Sequence, residues 1–265
     1  MTTIDDVTRY LDTAFHPEYQ EDYDNAGFLV GRGSDEYRGA LVALDLTDEV
    51  AQEARTQGLN LIVTHHPLIF GGVKRITDHT ATGRLLLQLI GDGIAVYAAH
   101  TNLDNLKDGV NGILCRRLGL VRCRILKPFA TDEELGAGMV GELPAAEEAD
   151  AFLRRVKKTL HLPVVRTSQF PVADARLSVR RVAVCGGSGA FLIGDALAAG
   201  ADIYLTADLK YHDFQRTTAQ MILADIGHYE SEQFAKEIIC DTISKKFSNF
   251  AVRISERQQS IVRYM

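Results

Sequence analysis

The chain has 265 residues, 46% of them hydrophobic, and a net charge of -6 from 29 Lys+Arg and 35 Asp+Glu. This composition is typical of globular proteins and excludes the collagen-like, coiled-coil and disordered classes. No apolar run reaches the roughly 18 residues of a membrane span, and the N-terminus lacks the features of a secretory signal. We therefore expect a soluble cytoplasmic protein that has no membrane partner.

The first half of the chain alternates between helix and strand patterns. An N-terminal helix over 4–15 ends before Pro17. Buried strands are then predicted at 40–46, 59–64 and 94–100, with helices between them at 48–57 and 82–91. Strands that alternate with helices in this way indicate an α/β fold with a parallel sheet.

The same pattern returns in the second half. A strand at 181–187, a helix around 190–199 and a strand at 201–206 repeat the order of the first unit. Gly58 and Thr64 align with Gly200 and Thr206, which indicates an internal duplication of one βαβαβ unit. We therefore predict two three-layer α/β domains of similar topology.

The boundaries of the two domains follow from this duplication. We expect the first domain to comprise 1–124 together with a C-terminal segment, 233–265, and the second to comprise 125–232. Between the two repeats, the pattern predicts an amphipathic helix over 147–162 and further strands at 164–168 and 177–185.

Residues that commonly bind metal ions stand at the ends of the predicted strands. The carboxyl ends of parallel strands form the edge at which α/β proteins bind ligands. Four segments lie there: His65-His66-Pro67, His100 to Asp104, Thr206 to His212, and His228 to Glu232. Single histidines at strand ends are common, but this combination at corresponding strand ends of a duplicated unit predicts a metal site.

Spacing selects five of these residues as ligands. His228 and Glu232 are four residues apart and share one face of a helix that begins near 229. Consecutive extended residues point to opposite sides, so His65 and His66 could each serve one of two neighbouring ions. Two ions about 3.5–4 Å apart usually share a carboxylate, for which Glu232 is the natural bridge, and Asp104 completes one shell.

The donor set indicates both the type of metal and its chemistry. Three imidazoles and two carboxylates suit two divalent ions of Zn, Fe, Mn or Ni better than Mg or Ca. Coordination lowers the pKa of bound water towards about 7 and so provides a hydroxide nucleophile at neutral pH. The sequence therefore favours a metal-dependent hydrolase whose nucleophile is a metal-bound hydroxide.

Three further residues are candidates for supporting roles. His100, Asp208 and His212 are predicted to hold the ligands or to transfer protons, and for His100 and His212 contact with substrate or metal ligation is the alternative. Asp24 is interpreted as part of a turn before a short strand rather than as a catalytic group. The glycine-rich segment 185–189 is interpreted as a tight turn, with contact to an anion as the alternative.

The sequence resembles the GTP cyclohydrolase 1 type 2 homologue family, also called the NGG-one-interacting-factor-three-like family, in its short form. The resemblance rests on motifs in family order along nearly the whole chain: YDNAGFLVG (23–31), ALDLT (43–47), VTHHPLIF (63–70), HTNLD (100–104), TADLKYHDF (206–214) and GHYESE (227–232). The chain departs from the family pattern at two positions, where Tyr23 replaces a usual Trp and Ala207 replaces a usual Gly. Neither residue is a predicted ligand.

The resemblance implies a dinuclear metal centre between two α/β domains and a toroidal homohexamer. Its motifs place the ligands at the same five residues, His65, His66, Asp104, His228 and Glu232. The family name implies GTP ring-opening, so a nucleotide or another phosphorylated or cyclic amide substrate is expected.

Two alternatives remain open at this point. The protein could be a non-enzymatic metal-binding, regulatory or interaction scaffold with exchangeable metal and no turnover. It could also bind nucleic acid in the lumen of a ring, although its acidic balance makes this the least favoured interpretation.

Overall fold

A computed structural model describes residues 1–168, 178–217 and 220–265. Its helices and strands follow in chain order as α1 (Ile4–Phe15), β1 (Gly27–Val30), β2 (Gly39–Ala43), α2 (Asp48–Thr56), β3 (Leu61–Thr64), α3 (Ala81–Asp92), β4 (Ala95–Ala98), α4 (Thr101–Asp104), α5 (Val110–Arg117), β5 (Val121–Phe129), β6 (Asp132–Glu148), α6 (Ala149–Thr159), β7 (Arg166–Thr167), β8 (Ser178–Ser188), α7 (Ile193–Ala198), β9 (Ile203–Ala207), β10 (Ile222–Asp225), α8 (His228–Glu232), α9 (Ala235–Lys246) and β11 (Ala251–Ile254). Short 3-10 turns occur at Pro17–Tyr19, Ala190–Leu192 and Asp213–Thr217. Leu177, the first residue of one predicted strand, lies outside the described residues.

The chain divides into two compact units. Unit 1 comprises Met1–Leu103 and Ala235–Gln259, and unit 2 comprises Asp104–Phe234 and Ser260–Met265. The first division therefore falls earlier than the expected boundary at 124. The reason is that α5 packs against β8 of unit 2, where Asn111 Oδ1 accepts a hydrogen bond from the Gly186 amide at 2.9 Å.

Unit 1 contains a five-stranded sheet in the order β1-β4-β3-β2-β11. Neighbouring strands are parallel except for β1, which pairs antiparallel with β4. Every residue of β2, β3 and β4 is buried, as expected for parallel strands whose two faces are both covered.

Helices cover both faces of this sheet. Ile62 and Val96 lie in one apolar cluster with residues of α2 and α3. The neighbouring Tyr97 points to the other face, where its hydroxyl donates to Asp12 Oδ1 of α1 at 3.0 Å, and α1 packs against α9. Unit 1 is therefore a three-layer α/β structure.

Unit 2 contains a six-stranded mixed sheet in the order β5-β6-β8-β9-β10-β7. Strands β8, β9 and β10 are parallel and consecutive, whereas β5, β6 and β8 pair antiparallel and β7 joins the opposite edge antiparallel to β10. One apolar cluster joins Ala183 and Cys185 of β8 to Ile193 and Ala196 of α7. The predicted α/β class is thus confirmed for a fold with two sheets.

Two elements differ from the expected βαβαβ repeat. The first helix, expected around 190–199, is a 3-10 turn followed by the short helix α7. Where the repeat has its second helix, the described part of the connection from β9 to β10 contains a 3-10 turn. No helix within the described ranges combines the length and the apolar character that crossing a lipid bilayer requires.

Candidate metal site

His65 and His66 leave strand β3 at its carboxyl end. Their amides continue the pairing with the β2 segment, donating to Ala43 O at 3.3 Å and Leu44 O at 2.9 Å. The Thr64 hydroxyl donates to the His66 carbonyl at 2.7 Å and fixes the bend that follows the strand. Because the chain bends here, the two rings do not diverge as extended neighbours would, and their centroids are 5.1 Å apart.

His100 joins these two histidines within unit 1. It follows β4, the next strand of the sheet, and its ring centroid is 5.3 Å from that of His65 and 5.5 Å from that of His66. One ligand atom from each of the three imidazoles lies within 4.8 Å of the other two. Three nitrogen donors at this spacing can hold a metal ion.

The Nδ1 atom of each imidazole in this group lies 2.7 Å from an oxygen atom. The partners are Ala99 O for His65, Asp45 Oδ1 for His66 and Asp24 Oδ1 for His100. A carbonyl oxygen only accepts, so the Nδ1 of His65 donates this hydrogen bond and Nε2 is the ring nitrogen that could bind a metal ion. Hydrogen bonds of this kind orient metal-binding histidines in proteins.

Asp24 has a larger role than the turn that the sequence indicated. Its side chain is fully buried and also accepts hydrogen bonds from the Thr101 amide at 3.0 Å and from the Thr101 hydroxyl. Burial raises the pKa of this carboxyl, but the hydrogen bonds from His100 and Thr101 outweigh it and hold the pKa well below its ordinary value. Asp24 is therefore ionised at neutral pH and orients His100.

Asp45, to which the sequence analysis assigned no role, is itself held by the C-terminal segment. The amide of Gln258 donates from Nε2 to Asp45 Oδ2 at 3.1 Å, while its Oε1 accepts from the Leu44 amide. The segment that carries Gln258 is fixed by the buried Glu53, which accepts from Ser255 Oγ at 2.5 Å and from the Glu256 amide at 3.1 Å. The sequence signals for Asp45 were its position near the end of the strand predicted at 40–46, at the same edge as the histidines, and its place in the ALDLT motif (43–47).

In unit 2, the structure brings together His228 and Glu232 of helix α8. His228 Nε2 lies 2.9 Å from Glu232 Oε2, as their spacing of four residues predicts. His228 Nδ1 lies 2.8 Å from Asp208 Oδ2. Burial lowers the pKa of His228. The hydrogen bonds and charges of Glu232 and Asp208 outweigh this effect and raise the pKa to about 9. In the absence of metal, this imidazole is therefore protonated at neutral pH.

Asp104 and Glu232 supply two carboxylates close together in unit 2, with ligand oxygens within 4.8 Å of each other. Burial, and to a smaller extent the negative charge of Asp104, raises the pKa of the neighbouring Cys185 to about 12. This thiol therefore stays neutral. Cys185 is therefore a poor ligand compared with the two carboxylates.

The glycine-rich segment makes room for Glu232. Gly187 has φ +63, and a Cβ atom there would lie 2.0 Å from Glu232 Oε1. The Gly186 amide donates to Asn111 Oδ1 and the Gly187 amide donates to Ser231 Oγ at 3.0 Å. These two amides are already engaged within the protein, which favours the interpretation as a tight turn over that of an anion site.

His212 belongs to none of the groups of described residues whose ligand atoms lie within 4.8 Å of one another. It is exposed on the turn after β9, and its Nδ1 lies 3.4 Å from Gln215 Oε1. Of the three histidines outside the predicted site, His16 and His79 lie beside the acidic residues Glu18 and Asp78, and His161 is exposed after helix α6.

The residues present fit transition-metal ions. Unit 1 offers three imidazoles that are oriented by oxygen acceptors, and unit 2 offers one imidazole and two carboxylates. Nitrogen-rich sets of this kind suit Zn, Fe, Mn or Ni. The described part of the chain therefore contains His and Glu groups that could bind metal.

Comparison with known proteins identifies the family. The family model for Duf34/NIF3 (NGG1p interacting factor 3) matches residues 2–260. The chain belongs to this family. Among Duf34/NIF3 relatives, a Clostridium perfringens protein named GTP cyclohydrolase 1 type 2 homolog is 34% identical over 232 residues, 86% of either chain. A Streptomyces coelicolor protein of the same name is 35% identical and covers 88% of this chain and 82% of its own.

A solved structure shares the fold of this chain. The crystal structure of a Staphylococcus aureus hypothetical protein is similar to this chain with a TM-score of 0.89 and 28% sequence identity. The similarity covers 100% of this chain and 99% of that protein.

Proposed function

We propose that this Duf34/NIF3 chain is a metal-dependent hydrolase that binds two divalent metal ions. The observation that carries the proposal is the group of His65, His66 and His100 in unit 1, whose ligand atoms lie within 4.8 Å of one another, with His65 and His66 as metal ligands and His100 beside them. Each imidazole is oriented through its Nδ1 atom by a carbonyl or a carboxylate. Metal-binding histidines usually make such a hydrogen bond through the ring nitrogen that does not bind the metal.

The proposed ligands are His65, His66, Asp104, His228 and Glu232. We assign Glu232 as the bridging ligand, since a carboxylate has two oxygens with which to bind two ions. We also propose that the ligands of both units serve one dinuclear centre, as the family resemblance implies, and that the two units descend from one duplicated unit. The consecutive parallel strands β2, β3, β4 and β8, β9, β10 support the duplication.

The chemistry follows from the donor set and from the residues behind it. Bound divalent ions would supply Lewis acidity and activate water for hydrolysis. His100, backed by the ionised Asp24, is suited to accept a proton from the attacking water or from substrate. Asp208 holds His228 in place, and His212 is the proposed proton carrier on the exposed turn.

The substrate class follows from the names of the relatives. Since those relatives are called GTP cyclohydrolase 1 type 2 homologs, we propose a nucleotide or another phosphorylated or cyclic amide as substrate. A substrate library is screened with the metal-loaded protein and with the Glu232→Ala variant, and the metal content of both is measured. Turnover that is lost in the variant supports the hydrolase. If the protein binds metal but the wild type and Glu232→Ala show equal turnover, the hydrolase proposal is contradicted and the metal-binding scaffold is favoured.

We further propose that the protein is a toroidal homohexamer of the cytoplasm. The resemblance to the family supports the assembly, and four free cysteines suit a reducing compartment. Native mass spectrometry of the purified protein tests the assembly, and a monomer at micromolar concentration would contradict it.

A further inference from the structure

Cys115 and Cys123 lie on two consecutive elements of unit 2 that are joined by a tight turn. Cys115 is in the last turns of α5, and Cys123 is in β5. Gly119, with φ +69, ends the helix, and the Leu120 amide donates back to Cys115 O at 2.9 Å. The turn therefore brings the start of β5 back beside the end of α5.

Strand β5 is irregular beside Cys123. Arg122 has a left-handed conformation with φ +52, and the pairing of β5 with β6 shifts register between Val121 and Arg124. Such a bulge re-aims the side chains beside it. On β6, Gly141 leaves the room that Cys123 occupies, since a Cβ atom there would lie 2.7 Å from Cys123 Sγ.

The two thiols pack against neighbouring positions on one face of β6, Cys115 against Met139 and Cys123 against Gly141, and lie in different surroundings. Cys115 is 2% exposed, with its sulfur 4.0 Å from Met139 Sδ, whereas Cys123 is only half-buried. The hydrogen bond from Cys115 lowers the pKa of Cys123 to about 7, and the same contact together with burial raises the pKa of Cys115 well above its ordinary value. Cys123 is thus the accessible thiolate and Cys115 its buried partner.

We propose that Cys115 and Cys123 form a reversible disulfide when the protein meets hydrogen peroxide. The Cys123 thiolate attacks one peroxide oxygen, the O–O bond breaks, and Cys123 becomes a sulfenic acid while the released hydroxide takes up a proton as water. Cys115 then gives up its proton, its sulfur attacks the Cys123 sulfur, and the S–O bond breaks to release a second water. In sum, two thiols lose two electrons to one peroxide, which becomes two waters.

The other two cysteines provide the comparison. Burial raises the pKa of both Cys185 and Cys240, so the thiolate is scarce at either position at neutral pH. We therefore expect peroxide to consume Cys123 at least about tenfold faster than Cys240.

The experiment uses the 265-residue chain as purified without added metal. It is treated with hydrogen peroxide at neutral pH, unfolded, alkylated and digested. We expect two of the four thiols to be lost, a peptide that links Cys115 to Cys123, and recovery of both thiols with dithiothreitol. Because this result is read from the wild-type chain, it does not depend on the folding of a variant.

Three variants separate the two steps. In Cys115→Ser, the reaction should stop at a Cys123 sulfenic acid that dimedone traps, and Cys123→Ser should leave Cys115 unoxidised. Cys240→Ser is the matched control and should give the same linked peptide as the wild type. The proposal is overturned if Cys115 remains alkylatable after Cys123 has reacted, or if Cys123 reacts no faster than Cys240.

Discussion

His228 Nδ1 lies 2.8 Å from Oδ2 of Asp208. Together with Glu232 on the other side of the ring, this carboxylate raises the pKa of the imidazole to about 9 against the effect of burial. A protonated imidazole cannot bind a metal ion, so metal and proton compete for His228. The pH dependence of metal binding is therefore a direct readout of this contact.

We predict that metal affinity rises with pH throughout the range from 7 to 8.5. Each ion that binds His228 below its pKa of about 9 displaces one proton, which corresponds to up to about tenfold in affinity per pH unit. Competition with a chelator of known affinity measures this slope. In Asp208→Asn, one of the two groups that raise the pKa is lost, so the slope should become shallower over the same range. Affinity that is constant over these pH values would contradict the assignment of His228 as a ligand.

The stability of the metal-free protein should follow the opposite trend. The pKa of His228 is raised above its ordinary value of 6.5. Its contribution to stability is therefore complete below pH 6.5 and is lost as the pH rises through about 9. We expect the difference in melting temperature between the wild type and His228→Gln to shrink from pH 6.5 to 9. A difference that stays constant or grows would show that the imidazole is not protonated in the folded state.

We predict that Asp45→Asn weakens metal binding about 10- to 100-fold while the fold is retained, because His66 loses the carboxylate that orients it. Isothermal titration calorimetry with Zn²⁺ measures the affinity, and circular dichroism reports on the fold. The matched control is Asp78→Asn, since Asp78 is exposed in the same unit and lies beside His79, which is not a predicted ligand. Equal affinities for the two variants would exclude a positioning role for Asp45.

Gln258→Ala tests whether the C-terminal segment acts on His66 through Asp45. The Gln258 amide donates to Asp45 Oδ2 at 3.1 Å, and loss of one such bond costs about 1 kcal/mol, or about fivefold in metal affinity. Because Gln258 acts through Asp45, the double variant with Asp45→Asn should bind metal no more weakly than Asp45→Asn alone. Additive losses in this cycle would mean that Gln258 affects the site by another route.

The sequence allows much of unit 1 and the positions of the ligands to be predicted. Strand β3 and helix α3 have clear apolar patterns and sharp stops, so the observed ends differ from the predicted ones by two residues at most. The histidines then follow from a general rule, since parallel strands end at one edge. The contact between His228 and Glu232 follows in the same way from the geometry of one helical turn.

The long hairpin of unit 2 could not be predicted in this way. Strand β6 (Asp132–Glu148) contains Gly136, Gly138, Gly141 and Pro144, which have low strand propensity, and its pairing with β8 depends on distant residues. The residues behind the ligands are equally non-local, since Gln258 and Asp45 are 213 positions apart. Such partners become visible only once the chain has folded.

Gly187→Ala should disturb both folding and the site. The added Cβ atom would lie 2.0 Å from Glu232 Oε1, and the left-handed φ of +63 alone costs an alanine about 1–2 kcal/mol. We expect a loss of at least about 2 kcal/mol in the free energy of unfolding, measured by urea denaturation, together with weaker metal binding. Gly194 lies in helix α7, and a Cβ atom added there would have no atom within 4 Å. Gly194→Ala should therefore leave the free energy of unfolding unchanged or raise it by up to about 1 kcal/mol. Equal effects of the two alanines would contradict the close packing of Gly187 against Glu232.

The metal content of the protein tests the central proposal most directly. The full-length chain is purified without chelators or added metal, and the metal and protein in the same sample are quantified by elemental mass spectrometry. The account predicts two transition-metal ions per chain in the wild type and a clear loss in Glu232→Ala, because that substitution removes the proposed bridging ligand. A wild-type protein that contains no transition metal and gains none on incubation with Zn, Fe, Mn or Ni would contradict it.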